Sequence, residues 1–252
     1  MLIELKVQNF RSISDGQNLS MAAGRASSKR PWASQETGNH MAPSALRSAC
    51  LFGANGSGKS NFVKAMSFLK EFVEGSAKDR QVDSPIDIYP FAYDPEWQDS
   101  PTEIEVVFVH NETLYQYGII VDRNRVFDEW LFENPSTKDT RLRRIFTRSY
   151  DEESDSYDWY LNKTHMRGER ESWKNSTRSN ALFLSTAVQL NSADLRAPYE
   201  WLVNNLRVVE DASLLGEGFS VKQFLDDGYK EEIIALMNAA DVPLKDLNIE
   251  VG

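Results

Sequence analysis

The sequence predicts an α/β fold with a mixed core sheet, an antiparallel β lobe and flanking helices. An apolar run at Ser48–Phe52, a glycine-rich turn and a helical pattern over Lys59–Glu74 predict a strand–turn–helix unit. Between residues 86 and 161 the hydrophobic period changes to two, which predicts an antiparallel meander. The continuous apolar run Ala181–Thr186 predicts a buried strand of the kind found in parallel sheets.

Each element of the first part follows from its own local pattern. In residues 2–7 apolar residues alternate with Glu4 and Lys6, as in a half-buried strand. Residues 22–45, rich in Ala, Gly and Ser, have neither period and predict a mobile loop. The helix that follows has one apolar stripe and ends at Gly75, because glycine favours helix C-termini.

The later elements are predicted in the same way. The acidic stretch 151–156 reads as a hairpin tip rather than a metal site, because its residues lack ligand spacing. Two helical patterns cover residues 193–206 and 229–240. The predicted strands of the meander contain Ile104–Phe108, Tyr115–Val121, Val126–Phe132, Arg141–Arg148 and Tyr157–Leu161.

The 252 residues fit one large α/β domain with three parts. These are the first strand and phosphate-loop unit (1–80), the antiparallel lobe (81–165) and a last region (180–252). Residues 1–80 carry 11 Lys and Arg against 6 Asp and Glu, whereas residues 81–252 carry 17 against 32. The net charge of −10 argues against a protein that binds nucleic acid over most of its surface. A local basic site is still compatible with this charge.

Composition also bears on location. No apolar run approaches the roughly 20 residues that a membrane-spanning helix needs, and the first residues do not resemble a signal peptide. The single cysteine, Cys50, cannot form an internal disulfide and lies in an apolar run, so we expect it to pack in a reducing environment. These observations predict a cytoplasmic protein without a membrane partner.

The motif GANGSGKS at residues 53–60, hereafter the P-loop, predicts a triphosphate-binding site. It fits G-x-x-x-x-G-K-[S/T] and lies between a predicted strand and a predicted helix. Its glycines allow backbone N–H groups to approach the phosphates, and the helix N-terminus adds positive potential. Lys59 is expected at the β and γ phosphates and Ser60 on Mg²⁺, with ATP as the nucleotide. The predicted binding residues are Gly53, Ala54, Asn55, Gly56, Ser57, Gly58, Lys59, Ser60 and Asn61.

Hydrolysis would also require a carboxylate near Mg²⁺ and a group that orients water. Glu210 and Asp211 follow only two apolar residues, Val208 and Val209. Asp122 follows GIIV but belongs to the predicted meander, where a turn is the better interpretation. The sequence therefore identifies no catalytic residue.

Three segments together resemble a known family. The opening LIELKVQNFRSI, the loop GANGSGKSN and the segment NALFLSTAVQLN resemble soluble ABC-type ATPases of the RecF, SMC and OLD group. More narrowly, the chain is similar to small ATPases of prokaryotic toxin–antitoxin and anti-phage defence systems, such as PtuA of Septu and retron systems or the AriA-type proteins. The resemblance covers nearly the whole chain, but only the P-loop is highly specific.

The resemblance implies further site residues. It places the turn of Asn9, Phe10 and Arg11 near the nucleotide and Gln189, as the Q-loop glutamine, on Mg²⁺ and the attacking water. The family's signature motif, acidic Walker B strand and switch histidine are not recognisable in this chain. In the family, the signature of one subunit completes the site of another in a head-to-tail dimer. We therefore expect the N-terminal half of an ATPase, which alone binds ATP without turnover.

Three functions are compatible with these residues. The first is an ATP-gated regulatory ATPase that oligomerises on nucleotide and controls an effector nuclease or toxin. The second is a RecF- or SMC-like DNA repair ATPase, and the third is a scaffold that ATP stabilises without hydrolysis. The basic strand at 141–148 could contact nucleic acid, although such a run more often forms a solvated sheet edge. A GTPase is disfavoured because no Asn-Lys-x-Asp motif occurs.

Overall fold

The fold is described by a computed structural model for residues 1–24, 31–79, 81–82, 84–135, 141–210 and 229–246. Contacts between residues divide the chain into two units, Met1–Val208 and Val209–Gly252. No helix in these described ranges is both long and apolar enough to cross a membrane. The larger unit contains the sheet and the P-loop, so the description below concentrates on it.

The structure contains the following strands and helices. The strands are β1 (Leu2–Gln8), β2 (Gln17–Ser20), β3 (Ser34–Glu36), β4 (Ser44–Leu46), β5 (Thr102–His110), β6 (Thr113–Val121), β7 (Val126–Asn134), β8 (Arg143–Asp151) and β9 (Ser156–Leu161). The helices are α1 (Lys59–Gly75), α2 (Pro95–Gln98), α3 (Arg170–Ser176), α4 (Phe183–Gln189), α5 (Arg196–Glu200) and α6 (Tyr229–Ala239), with a 3₁₀ turn at Pro31–Ala33 and a π-helical turn at Trp201–Asn205.

Seven strands form one sheet in the order β2-β1-β5-β6-β7-β8-β9. The predicted meander is confirmed: β5 to β9 are consecutive neighbours, and the acidic stretch 151–156 joins β8 to β9. Every described strand pair is antiparallel. The predicted mixed sheet is therefore wrong for the described residues, which form an antiparallel sheet with helices packed on it.

The core lies between one face of this sheet and the helices. Leu5 and Val7 of β1 are fully buried, which confirms the face predicted from their alternation. Leu69 and Val73 of α1 are buried in the same cluster. The ring of Phe108 on β5 stacks on Trp201 with centroids 3.9 Å apart. Helix α1 is thus anchored to the sheet by its apolar stripe, and its first two residues are the last two of the P-loop.

The run Ala181–Thr186 is not a strand, because most of it lies in helix α4. The carboxylate of Glu129 on β7 accepts hydrogen bonds from the N–H groups of Phe183 (2.6 Å) and Leu184 (3.0 Å). These are the first N–H groups of the helix, which have no partner within it. Since α4 is buried on nearly all sides, its sequence has no polar face from which the helical period could be read.

Glu129 also belongs to a buried polar cluster in the core. Its carboxylate lies 3.9 Å from Arg148 of β8, and the two side chains are 0% and 1% exposed. Arg148 donates to the carbonyl oxygens of Ala181 (2.9 Å) and Ser179 (3.1 Å). Burial raises the pKa of Glu129, while Arg148 and the α4 N–H groups act in the opposite direction. The cluster connects β7 and β8 to the start of α4.

Three other predictions for the larger unit are corrected. Within the expected loop 22–45, β3 pairs with β4 in a two-stranded antiparallel sheet. Residues 48–52 form no strand, since a strand needs a hydrogen-bonded neighbour and none of the described strands pairs with them. Cys50 is exposed, so its predicted packing role is wrong. Phe52 is 91% exposed.

The smaller unit contains α6, which confirms the helical pattern predicted near its position. Lys230 forms an ion pair with Asp246 at 2.6 Å. The side chain of Asn238 both donates to and accepts from the backbone of Leu244. These contacts fold the chain after α6 back onto the helix. Asp211, one of the two acids considered for catalysis, lies outside the described residues.

Candidate functional site

The P-loop is an exposed backbone turn that leads directly into α1. Gly58 precedes the first helical residue with φ 93°, and Gly56 has φ 82°. Side chains rarely adopt such positive φ values, so both glycines are required by the backbone path. No side chain caps the start of α1. The N–H groups of its first turn therefore remain suited to an anion, which the helix dipole also favours.

Lys59 folds back over the P-loop. Its ammonium group donates to the carbonyl oxygens of Gly53 and Ala54, both at 2.8 Å. The turn is further closed by a backbone hydrogen bond from Ser57 to Ala54 (3.2 Å). Lys59 makes no ion pair with any described carboxylate. Its charge is therefore placed at the P-loop and is held there only by backbone oxygens.

Two open clefts flank the P-loop. One, of about 360 Å³, extends from Ser57–Lys59 to the turn before β2 and to the exposed Phe52. The other, of about 380 Å³, is lined almost entirely by residues 55–61. Ser12, Ser57, Gly58 and Lys59 line both clefts. Each volume lies in the range of small-molecule pockets.

Ser60 occupies the first turn of α1 and is exposed. Its hydroxyl makes no hydrogen bond to another side chain among the described residues, and it borders the second cleft. An exposed hydroxyl beside a phosphate site is a suitable oxygen ligand for Mg²⁺, which keeps several waters and takes few protein ligands. The local residues therefore fit a magnesium–triphosphate group.

The turn between β1 and β2 supplies a residue that the sequence analysis did not select. The side-chain amide of Asn61 in α1 donates to the hydroxyl of Ser12 at 2.6 Å. A Cβ on Gly58 would lie only 3.0 Å from the same hydroxyl oxygen. Ser12 therefore faces the P-loop directly. Ser12 could not be selected from the sequence, because no local pattern marks it. The residues that it meets, Gly58 and Asn61, follow 46 and 49 positions later.

Arg11 points elsewhere. Its guanidinium group lies over the rings of Tyr89 (5.0 Å) and Phe10 (5.6 Å). The backbone N–H of Arg11 donates to the Tyr89 carbonyl. Phe10 is buried in the core, and Asn9 is fully buried. Asn9 accepts from the N–H of Phe91 and donates to three carbonyls of residues 97–101. Asn9 and Phe10 thus have structural contacts, and the nucleotide role of Arg11 remains a prediction.

Gln189 lies at the C-terminal end of α4, not at the end of a strand. Ser185 donates to the carbonyl of Val73 (2.6 Å), and the N–H of Leu182 donates to Ser76, so α4 runs antiparallel to α1. Gln189 is one turn beyond Ser185, about 6 Å along the axis, whereas Ser60 lies about 20 Å from Val73 along α1. Gln189 makes no hydrogen bond to the P-loop within the described ranges, and its metal role remains a prediction.

Two of the acidic candidates for catalysis, Asp122 and Glu210, lie among the described residues. Asp122 accepts from the N–H groups of Asn124 and Arg125, both at 2.7 Å, which supports the turn interpretation. Glu210 is exposed and belongs to the smaller unit. None of the described residues that line the two clefts beside the P-loop is an Asp or a Glu. The described site therefore fits an anion but offers no carboxylate that could activate water.

The arginines of the basic strand are largely engaged within the protein. Arg143 pairs with Glu133 at 3.1 Å, and the guanidinium of Arg144 lies 3.6 Å from the centroid of the Tyr160 ring. Arg148 is buried with Glu129. The strand is flanked by β7 and β9, so the solvated-edge interpretation is wrong. Arg143 and Arg148 are thus paired with carboxylates, whereas Arg144 keeps an exposed positive charge.

Comparisons with known proteins identify one family. No curated protein matches this chain. Residues 48–248 match the family model described as "AAA domain, putative AbiEii toxin, Type IV TA system". The match includes the P-loop, α1 and Gln189, whereas Arg11 and Ser12 precede it. The chain therefore belongs to this family of AAA domains, which links an ATPase-type nucleotide-binding domain to toxin–antitoxin systems.

Proposed function

We propose that the chain is the Mg²⁺-dependent ATP-binding part of a regulatory ATPase that assembles on nucleotide and controls a partner toxin in anti-phage defence. The observation that carries the proposal is the P-loop, in which Gly56 and Gly58 adopt positive φ immediately before a helix without a side-chain cap. That arrangement presents backbone N–H groups and the helix dipole to a polyphosphate. The family description supports the toxin–antitoxin setting.

Binding would proceed through a local exchange of partners. The ammonium group of Lys59 leaves the carbonyl oxygens of Gly53 and Ala54 for the β and γ phosphates, where it forms stronger charge-assisted hydrogen bonds. Ser60 contributes its hydroxyl to Mg²⁺, which supplies further neutralising charge when bound. Ser60 is the principal protein ligand in this proposal, because Gln189 lies at the C-terminal end of the buried helix α4 and makes no hydrogen bond to the P-loop in the described ranges.

A non-hydrolysing scaffold is the second candidate. It is favoured by one observation: no Asp or Glu is among the described residues that line the two clefts beside the P-loop. ATP would then act by mass action, and nucleotide at about 100 times its dissociation constant stabilises a fold by about 2.7 kcal/mol. Release of inorganic phosphate separates the two candidates, since the scaffold stabilises without turnover and the ATPase turns over.

The proposed function is tested by calorimetric titration of MgATP into the wild-type chain, Lys59→Ala and Lys64→Ala. Lys59→Ala should weaken binding by roughly 100-fold, because two charge-assisted hydrogen bonds are worth about 3 kcal/mol together. The unfolding temperature should change little, since the side chain of Lys59 contacts only two surface carbonyls.

Lys64→Ala is the matched control, because Lys64 lies in α1 but does not line either cleft. It should bind as the wild type does. Equal affinity of Lys59→Ala and the wild type would remove the P-loop from the proposed site. A wild-type chain that gives no binding heat and no thermal shift with MgATP would contradict the proposal as a whole.

A further inference from the structure

The turn between β1 and β2 is held unusually firmly for a surface connection. Phe10 and Ile13 exchange two backbone hydrogen bonds of 2.8 and 2.9 Å, and both side chains are buried. Arg11 and Ser12 therefore form the tip of a tight turn. The N–H of Arg11 donates to the Tyr89 carbonyl at 2.8 Å, which fixes the tip from a second side.

Asn9 anchors the base of the same turn. Its backbone N–H donates to the Ser14 carbonyl at 2.9 Å, and its backbone carbonyl accepts from the hydroxyl of Thr102. The fully buried amide side chain bonds to the backbone of residues 91–101 on both its donor and its acceptor sides. The position of the tip is thus set by the core rather than by the P-loop, and little further ordering is needed for it to act on a ligand.

Ser12 meets the P-loop at two points. Its hydroxyl oxygen accepts the hydrogen bond from Asn61 at 2.6 Å, and this oxygen would lie 3.0 Å from a Cβ on Gly58. The hydroxyl proton is not used in any hydrogen bond to a described residue. Since Ser12 borders the clefts on both sides of the P-loop, that proton is available to an acceptor held between them.

We propose that Ser12 is a phosphate-binding residue of this site, whose hydroxyl donates to a phosphate oxygen while Asn61 holds the hydroxyl oxygen in place. The inference rests on the proposed nucleotide-binding function and adds a donor from outside the P-loop. Gly58 is constrained for a second reason besides its φ of 93°, because a Cβ there would lie 3.0 Å from the Ser12 hydroxyl oxygen and would require that side chain to shift.

The neighbouring Arg11 gives a contrasting expectation. Its guanidinium group is stacked on Tyr89 and Phe10, and neither cleft beside the P-loop includes it. Truncating Arg11 should therefore affect nucleotide affinity less than truncating Ser12. This order is opposite to the one expected from charge alone, since an arginine ordinarily contributes more to phosphate binding than a serine does.

The test is a calorimetric titration of MgATP into Ser12→Ala, Ser12→Thr, Arg11→Ala and the control Ser149→Ala, with the unfolding temperature of each variant measured without nucleotide. Ser149 is exposed on β8 and does not line the site. We expect Ser12→Ala to raise the dissociation constant about 10-fold, because one hydrogen bond to a charged group is lost. Ser12→Thr keeps the hydroxyl and should bind within about threefold of the wild type.

The outcomes separate this inference from the proposed function. Wild-type affinity in Ser12→Ala, combined with lost binding in Lys59→Ala, would overturn the role of Ser12 alone. The role of Ser12 is also overturned if Ser12→Thr fails to restore affinity, if Ser12→Ala mainly lowers the unfolding temperature, or if Arg11→Ala binds more weakly than Ser12→Ala. A wild-type chain that does not bind MgATP would overturn both proposals together.

Discussion

The antiparallel sheet and the P-loop segment belong to one unit but differ in solvent exposure: the sheet is largely buried and the P-loop segment is largely exposed. Most positions of β6 are buried, and its backbone is hydrogen-bonded to β5 on one side and to β7 on the other. Residues 51–57 are all exposed, and no described strand pairs with residues 48–52. Stability therefore resides in the sheet, while the exposed backbone of the P-loop remains available for a ligand.

The largest expected effect is on the stability of the sheet. Glu129→Ala would leave Arg148 charged and buried, and it would remove the two acceptors at the start of α4. Removing one partner of a buried ion pair costs about 3–5 kcal/mol. Urea denaturation should show a loss of that size in the free energy of unfolding.

Glu133→Ala provides the control for this variant on the same strand. Glu133 pairs with Arg143, and both side chains retain access to water. Such partly exposed pairs contribute less than about 1 kcal/mol. If the two variants lose similar stability, the buried cluster does not have the structural role assigned to it.

A smaller effect on stability, joined to loss of binding, is expected where the two regions meet. Gly58→Ala would force a side chain into left-handed backbone at a cost of about 1–2 kcal/mol and would press on Ser12. The shifted P-loop should bind MgATP at least about 10-fold more weakly, because one misplaced charge-assisted hydrogen bond accounts for that factor. Calorimetry and urea denaturation measure the two effects.

Gly24→Ala is the matched glycine control, since a Cβ at that position meets no atom within 4 Å. It should leave both measurements close to the wild-type values. Unchanged ATP affinity in Gly58→Ala would contradict the assigned geometry of the P-loop. It would also weaken the argument that Ser12 and Gly58 are mutually constrained.

The parts of the fold with local causes could be predicted from the sequence. Alternating residues placed β1 and β5–β9 correctly, because one face of each strand is buried and the period of two is visible. Helix α1 was predicted because its apolar stripe recurs with the helical period. The P-loop could be recognised because spacing, lysine and serine occur within eight consecutive residues.

Two of the misses arose where a distant residue decides the structure. The run Ala181–Thr186 resembles a buried strand, but Glu129, more than 50 residues earlier, caps it as a helix. Ser12 was missed for the same reason, since its contact with Asn61 spans 49 positions. No local pattern contains either contact, so single-sequence reasoning could not reveal them.

A crystal structure with Mg²⁺ and a non-hydrolysable ATP analogue would test the central claim most directly. We expect the β and γ phosphates on the N–H groups of residues 56–60, with the Lys59 ammonium moved from the Gly53 and Ala54 carbonyls onto them. A nucleotide bound elsewhere, with Lys59 still on those two carbonyls, would contradict the account.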